Sequence, residues 1–183
     1  MLGTNPPFRA DHAGSLLRPR ELLEARARRE RGEIAAAELK AIEDRAIEAI
    51  IAKRESIGLR GVTDGELRRE FWHIDFLAVL DGVESSVTDH GIQFKGGETK
   101  PRGLRVTGRI AFSGHPMIEH FRFLKAHARA TPKMTIPSPS VLHFRGGRKA
   151  VPPAIYPGMD EFYRDLGAAF RKAVRAFADV GCR

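Results

Sequence analysis

The sequence predicts an α/β protein, a partial (β/α)8 TIM barrel of about four β/α units with parallel strands and outer helices. Two observations carry this. Short apolar segments that end in glycine or polar residues alternate with longer stretches whose apolar residues recur every three or four positions, an order that forces crossover connections and parallel pairing. The last helical stretch then runs into Val180-Gly181-Cys182, much as an earlier helix runs into Gly58-Leu59-Arg60-Gly61 before Val62. By that analogy residues 1–183 form a single domain, the amino-terminal half of a barrel, truncated at the threshold of a fifth strand. Half a barrel leaves edge strands and apolar helix faces uncovered.

The elements follow in order. Phe8-Arg9-Ala10-Asp11-His12-Ala13-Gly14-Ser15 alternates in polarity up to a glycine and reads as a first strand with its loop. Ser15 there reads equally as a capping residue. Pro19 suits a first helical turn, so helices are predicted over 19–31 and 35–57, separated at Gly32. Leu39, Ile42, Ala46, Ala49 and Ile50 give the second an apolar stripe. Residues 59–62 form the second strand, and a helix is predicted over 69–80, stopped by Asp81-Gly82. Residues 83–103 look like an insertion or hairpin. A third strand covers 104–110, a helix 120–130 ends at Thr131-Pro132, and a fourth strand covers 133–136 before Pro137-Ser138-Pro139-Ser140. The last helix, over 159–178, carries Phe162, Leu166, Phe170, Val174 and Phe177 on its inner stripe.

Composition narrows the function classes. With 183 residues, 42% of them hydrophobic, the chain is long enough to bury a core. No apolar run approaches the roughly 20 residues needed to cross a bilayer, and the first ten residues lack the apolar centre of a signal peptide, so a cytoplasmic protein without membrane contact is expected. The single cysteine, Cys182, leaves no internal disulfide and fits a reducing compartment. A net charge of +8 raises the question of nucleic acid. The arginines, however, are interleaved with glutamates, as in Arg26-Ala27-Arg28-Arg29-Glu30-Arg31-Gly32-Glu33, which is the texture of a solvated helix face and argues against a nucleic-acid partner.

The expected strand ends supply His12 and Ser15, Asp64 and Glu66, Gly108 and Arg109, and Ser138 and Ser140. In α/β folds ligand sites form at these carboxyl ends. The most concentrated stretch is Gly61-Val62-Thr63-Asp64-Gly65-Glu66. Such a set suits a small polar molecule with an amino group: Glu66 would hold an ammonium by a charge-assisted bond, and backbone donors near Gly14 and Ser15 would receive a carboxylate. Zinc needs three or four Cys, His, Asp or Glu ligands, and the only thiol is the penultimate residue. Neither a phosphate-binding glycine loop nor a nucleophile–base pair stands out.

His12-Ala13-Gly14-Ser15, Val62-Thr63-Asp64-Gly65-Glu66 followed by an aromatic-rich stretch, Lys100-Pro101 before a strand, and Thr135-Ile136-Pro137-Ser138-Pro139 occur in one order along essentially the whole chain. In these features the sequence resembles the catalytic carboxyl-terminal barrel of cobalamin-independent methionine synthase, and more closely its short stand-alone bacterial relatives. The resemblance implies zinc-dependent transfer of a methyl group, with methyl-folate as a candidate donor, to the thiol of homocysteine. It places Gly14, Ser15 and Glu66 at the amino acid. His12 or Ala13 stands in the region of the family's isoleucine, and Asp64 stands where the family has a histidine. The family's zinc ligands, a His-x-Cys pair, a glutamate and a later cysteine, lie in the second half of its barrel, so no catalytic residue and no metal ligand is assigned to this chain. Two alternatives remain: a related zinc-dependent thiol alkyl transferase of the coenzyme M type, and a non-catalytic half-barrel module that docks on a complementary half-barrel chain or self-associates.

Overall fold

The computed structural model describes residues 6–87, 93–94, 97–98, 102–144 and 146–182. In chain order the elements are α1 (Arg20–Glu30), α2 (Ala36–Ser56), β1 (Gly61–Val62), α3 (Ile74–Leu77), β2 (Asp81–Val87), β3 (Gln93–Phe94), β4 (Gly97–Glu98), β5 (Arg102–Ala111), α4 (Met117–His127), β6 (Thr131–Pro132) and α5 (Met159–Asp179). Short 3-10 turns lie at Pro139–Leu142 and Gly147–Ala150. The protein is mixed α/β and contains a parallel strand pair. Its residues group into two compact units, one of 1–70, 118–135 and 180–183, the other of 71–117 and 136–179.

In the first unit α1 and α2 pack as an antiparallel helical pair around Gly32, whose φ of +76° turns the chain. Leu22, Ala25, Ile47 and Ile51 are buried there, and Phe121 and Leu124 of α4 are fully buried. Outward-facing arginines pair with acids along the helices, as Arg20 does with Glu24 and Arg45 with Glu21. β1 and β6 run parallel, with Gly61 opposite Thr131 and Val62 opposite Pro132. Thr131 N–H donates to Arg60 O and Lys133 N–H to Val62 O, so the missing donor of Pro132 falls at the position whose N–H would face away from β1.

The second unit is built on an antiparallel hairpin of β2 and β5, with a register shift between Asp81 and Val83. Gly82 sits at that shift with φ +74°, and a Cβ there would lie 2.5 Å from Arg109 O, so only glycine fits. α5 packs on β5 and buries Phe162, Leu166, Ala169, Phe170, Ala173 and Phe177. Tyr156, fully buried, ties the two together: its hydroxyl accepts from Ile110 N–H at 2.6 Å and donates to Asp165 at 2.9 Å. Arg109 stacks on the Tyr156 ring and pairs with Glu161 and Asp165.

Several expectations change. Residues 8–15 form no strand; the segment is irregular and held by side-chain bonds. The helix expected over 69–80 shrinks to the four residues of α3, and the Arg69 carbonyl, which would open that helix, accepts from Arg18 and Arg26 instead of from a helical N–H. The strand expected over 104–110 is present as β5, but it pairs antiparallel with β2 and is not a parallel strand beside β1. The fourth strand lies at Thr131–Pro132, two residues earlier than expected, and α4 ends at His127. On α2 the buried face is Ile42, Ile47, Ile51 and Arg54, while Ala49 is exposed. Val174 of α5 is 56% exposed. Lys100-Pro101 lies outside the described residues.

Replacing Tyr156 with Phe strips the acceptor from a buried backbone donor, Ile110 N–H. The expected loss is about 1–3 kcal/mol of stability, read from the shift of the urea midpoint.

Candidate functional site

The site grows from the carboxyl end of β1, where the chain must turn sharply. Thr63, Asp64, Gly65 and Glu66 are all buried. Thr63 Oγ1 accepts from Gly65 N–H at 3.1 Å, and Asp64 Oδ1 accepts from Glu66 N–H at 2.9 Å, so two short polar side chains cap the turn locally. Gly65 has φ +65°, and a Cβ on it would meet Ile50 Cδ1 at 2.6 Å. Glu66 follows at φ +56°, the one non-glycine residue at positive φ among the described residues. That conformation costs roughly 1–2 kcal/mol for an L-residue and holds only where surrounding bonds over-determine it.

Those bonds converge on the Glu66 carboxylate, which is 3% exposed. Ser15 Oγ donates to Oε2 at 2.5 Å, Thr135 Oγ1 donates to Oε1 at 2.6 Å, and Arg69 Nη1 stands 3.4 Å from Oε1. Arg69 is itself 3% exposed and donates to Thr135 O at 2.6 Å, so it fixes the threonine as well as the carboxylate. Leu16 N–H donates to Gly65 O at 3.0 Å, which docks the segment carrying Ser15 on the turn. Ser15 is exposed, so the Oε2 side of the carboxylate lies directly beneath a surface hydroxyl. Among the described residues this buried anion receives donors from two hydroxyls and one guanidinium, which leaves it lone pairs for a further cation.

Beside it stands a second cluster. Arg54, 5% exposed on α2, donates through Nη1 to Thr63 O at 2.8 Å and to Thr63 Oγ1 at 2.7 Å. Its Nη2 lies 2.5 Å from His12 Nδ1. Lys133 pairs with Asp11 and donates to His12 O at 3.0 Å. Burial, with the charges of Arg54 and Lys133, pushes the His12 imidazole below its usual range, against the opposing pull of Asp11 and Glu66. Lys133 holds the Asp11 carboxyl below the ordinary aspartate range.

Of the residues expected from sequence, the fold brings His12, Ser15, Asp64 and Glu66 together in the first unit. Ser15 does not cap α1, which begins after Pro19 without a side-chain cap. Asp64 Oδ1 caps the turn. Gly14 has φ +90°, reserved for glycine, with no protein atom within 4 Å of where a Cβ would stand. Gly108 and Arg109 belong to the hairpin of the second unit, and Ser138 and Ser140 bond to each other there at 2.9 Å. Sequence reasoning missed Arg54, Arg69, Lys133 and Thr135. Thr135 lies next to the end of the expected fourth strand and could have been found by that position; nothing in the local sequence marks the arginines. Among the described residues no three His, Cys, Asp or Glu side chains gather where they could hold a metal ion. A cavity of about 510 Å³ opens at the opposite, amino-terminal ends of β1 and β6, lined by Phe8, Glu55, Arg60 and Arg129 among others. Its Arg129 is engaged by Glu55, and the converging polar groups are at the other end.

The chain is 48% identical over 178 residues to the uncharacterised protein YxjH of Bacillus subtilis, and 49% identical over 179 residues to YxjG of the same organism. Each match covers 97% of this chain but 46% and 47% of the relatives, so the chain spans about half their length. A solved structure from Listeria monocytogenes, provisionally named a vitamin-B12 independent methionine synthase, superposes with a TM-score of 0.77 at 41% identity over 97% of this chain and 50% of that one. A B12-independent methionine synthase from Shewanella, solved with selenomethionine, shares the fold at a TM-score of 0.62 and 15% identity, over 82% of this chain and 42% of that one. No protein-family profile matches the chain. No helix among the described residues is long and apolar enough to cross a membrane.

Two outcomes are expected from this geometry. Gly65→Ala combines a positive φ with a clash against Ile50 and should cost about 1–3 kcal/mol, read from chemical denaturation. His12 is neutral in the folded protein below the pH at which it protonates when unfolded, so the unfolded chain binds the extra proton. Its contribution therefore lowers stability as pH falls below about 6.5. Denaturation midpoints measured between pH 7.5 and 5 should show a shallower fall in His12→Gln than in the wild type.

Proposed function

We propose that this chain supplies the amino-acid-binding part of a methyltransferase of the cobalamin-independent methionine-synthase kind, acting on a homocysteine-like thiol. What supports the reading is the Glu66 carboxylate, buried at the end of a parallel strand and steadied by Ser15, Thr135 and Arg69. The similarity to the Listeria structure over nearly the whole chain supports it further. An ammonium group meeting that carboxylate makes a charge-assisted bond strengthened by the low local dielectric. Ser15, on the segment docked by Leu16, covers it from the surface side, with Gly14 beside it in the chain. Coenzyme M has a sulfonate and no ammonium, so it brings the carboxylate no cation from the ligand; the amino-acid reading is preferred on that ground.

Zinc would lower the pKa of the thiol so that thiolate attacks the methyl group. The described residues do not offer a ligand set for it. In this proposal the metal, and a methyl donor such as methyl-folate, are held by parts of the relatives that this chain does not span, either in the same polypeptide or in a complementary half-barrel. The chain's own residues bind and orient the amino-acid end of the substrate, so that its thiol is presented outward. A cytoplasmic setting, where the thiol stays reduced, suits that chemistry.

Calorimetry with two ligands tests the reading. Homocysteine should bind at least about tenfold more tightly than 4-mercaptobutyrate, which lacks the ammonium. Glu66→Gln should abolish the difference by weakening homocysteine alone. Equal affinities in the wild type, or a folded Glu66→Gln protein that binds homocysteine unchanged, would sink the proposal.

A further inference from the structure

We infer that Arg54 is a positioning residue that locks His12 as its Nε2–H tautomer, and that the imidazole donates this proton in a hydrogen bond to the carboxylate of the amino-acid ligand. The inference rests on the amino-acid reading of the site and extends it to the other end of the ligand.

A guanidinium donates and never accepts. With Arg54 Nη2 2.5 Å from His12 Nδ1, that ring nitrogen must be the acceptor, and the proton of the neutral ring sits on Nε2. The guanidinium cannot turn away, because Nη1 is bound twice to Thr63 and the side chain is 5% exposed. Protonating Nδ1 would aim one N–H at another. The charges facing the ring are Arg54 from α2, Lys133 after β6, neighbouring Asp11 and Glu66 after β1. The two cations and burial outweigh the two carboxylates, so the ring stays neutral. His12 is half-exposed, and its Nε2 bonds to no protein group among the described residues.

An α-amino acid presents an ammonium and a carboxylate on one carbon. Glu66 offers an acceptor for the first, and His12, three residues before the Ser15 that bonds Glu66 and joined through Arg54 to Thr63 of the same turn, offers a donor for the second. A neutral donor holds its ligand across neutral pH, whereas an imidazolium would release it as pH rises through its pKa.

Three measurements test this on the whole protein. Nitrogen-15 NMR of His12 without ligand should show the Nε2–H tautomer, and Arg54→Lys or Arg54→Met should mix the tautomers and move the ring toward its ordinary pKa. An Nδ1–H or charged ring in the wild type at pH 7 would overturn the lock. His12→Ala should weaken homocysteine binding about tenfold or more while leaving 3-aminopropanethiol, which lacks the carboxylate, unchanged; His12→Gln, which keeps a donor, should recover most of the loss. Equal losses for both ligands would overturn the carboxylate role while leaving the Glu66–ammonium pairing standing. Homocysteine affinity should stay flat from pH 8 to 7, and a fall in affinity as pH rises through about 6.5 would instead identify a charged imidazole.

Discussion

A carboxylate taken out of water has to be met by donors, and the donors for Glu66 come from places far apart in the chain. Ser15 precedes the first helix, Arg69 follows the turn, and Thr135 lies beyond the second parallel strand. The regular hydrogen bonding between these regions is slight, since β1 and β6 pair over two residues each. The buried anion therefore acts as the knot at which three segments are fixed, and removing one member of such a pair typically costs about 3–5 kcal/mol. The positive φ of Glu66 follows from the same constraint: the backbone accepts an unfavourable conformation so that the side chain can reach all of its partners.

Arginine does much of the remaining work of secondary structure here. Arg18 and Arg26 close the carbonyls of Glu66, Leu67 and Arg69, Arg54 closes Thr63 O, and Arg69 closes Thr135 O. Buried backbone acceptors that no helix or sheet satisfies are thus met by planar forks with several donors each. Part of the chain's positive charge is consequently structural. It is placed around the site, where it also keeps His12 neutral.

The division of labour that follows is simple. A carboxylate and a neutral donor suit the two polar groups of an amino acid, and both are encoded within a chain that spans about half of its curated relatives. Binding the amino acid and activating its thiol are separable tasks. In the proposed scheme the first belongs to this chain.

Helix existence was legible in the sequence. The 3.6-residue periodicity and the stops at Gly32 and Gly58 located α1, α2 and α5 to within a residue or two, because helical bonds are local and amphipathic packing writes itself into spacing. The strand end at Val62 and the acidic turn after it were legible for a similar reason: glycine at positive φ and short capping side chains are local signals. Tertiary structure alone decided which strands pair and in which direction. Residues 104–110 carry the same alternation whether they enter a parallel sheet or a hairpin. It also decided the fate of 69–80, where Arg18 and Arg26, more than forty positions away, donate to the Arg69 carbonyl that would open a helix. Glu66 and Ser15 could be named from the sequence, and Thr135 by its place near the end of an expected strand, but Arg69 and Arg54 could not, since long-range side-chain bonds leave no period along the chain.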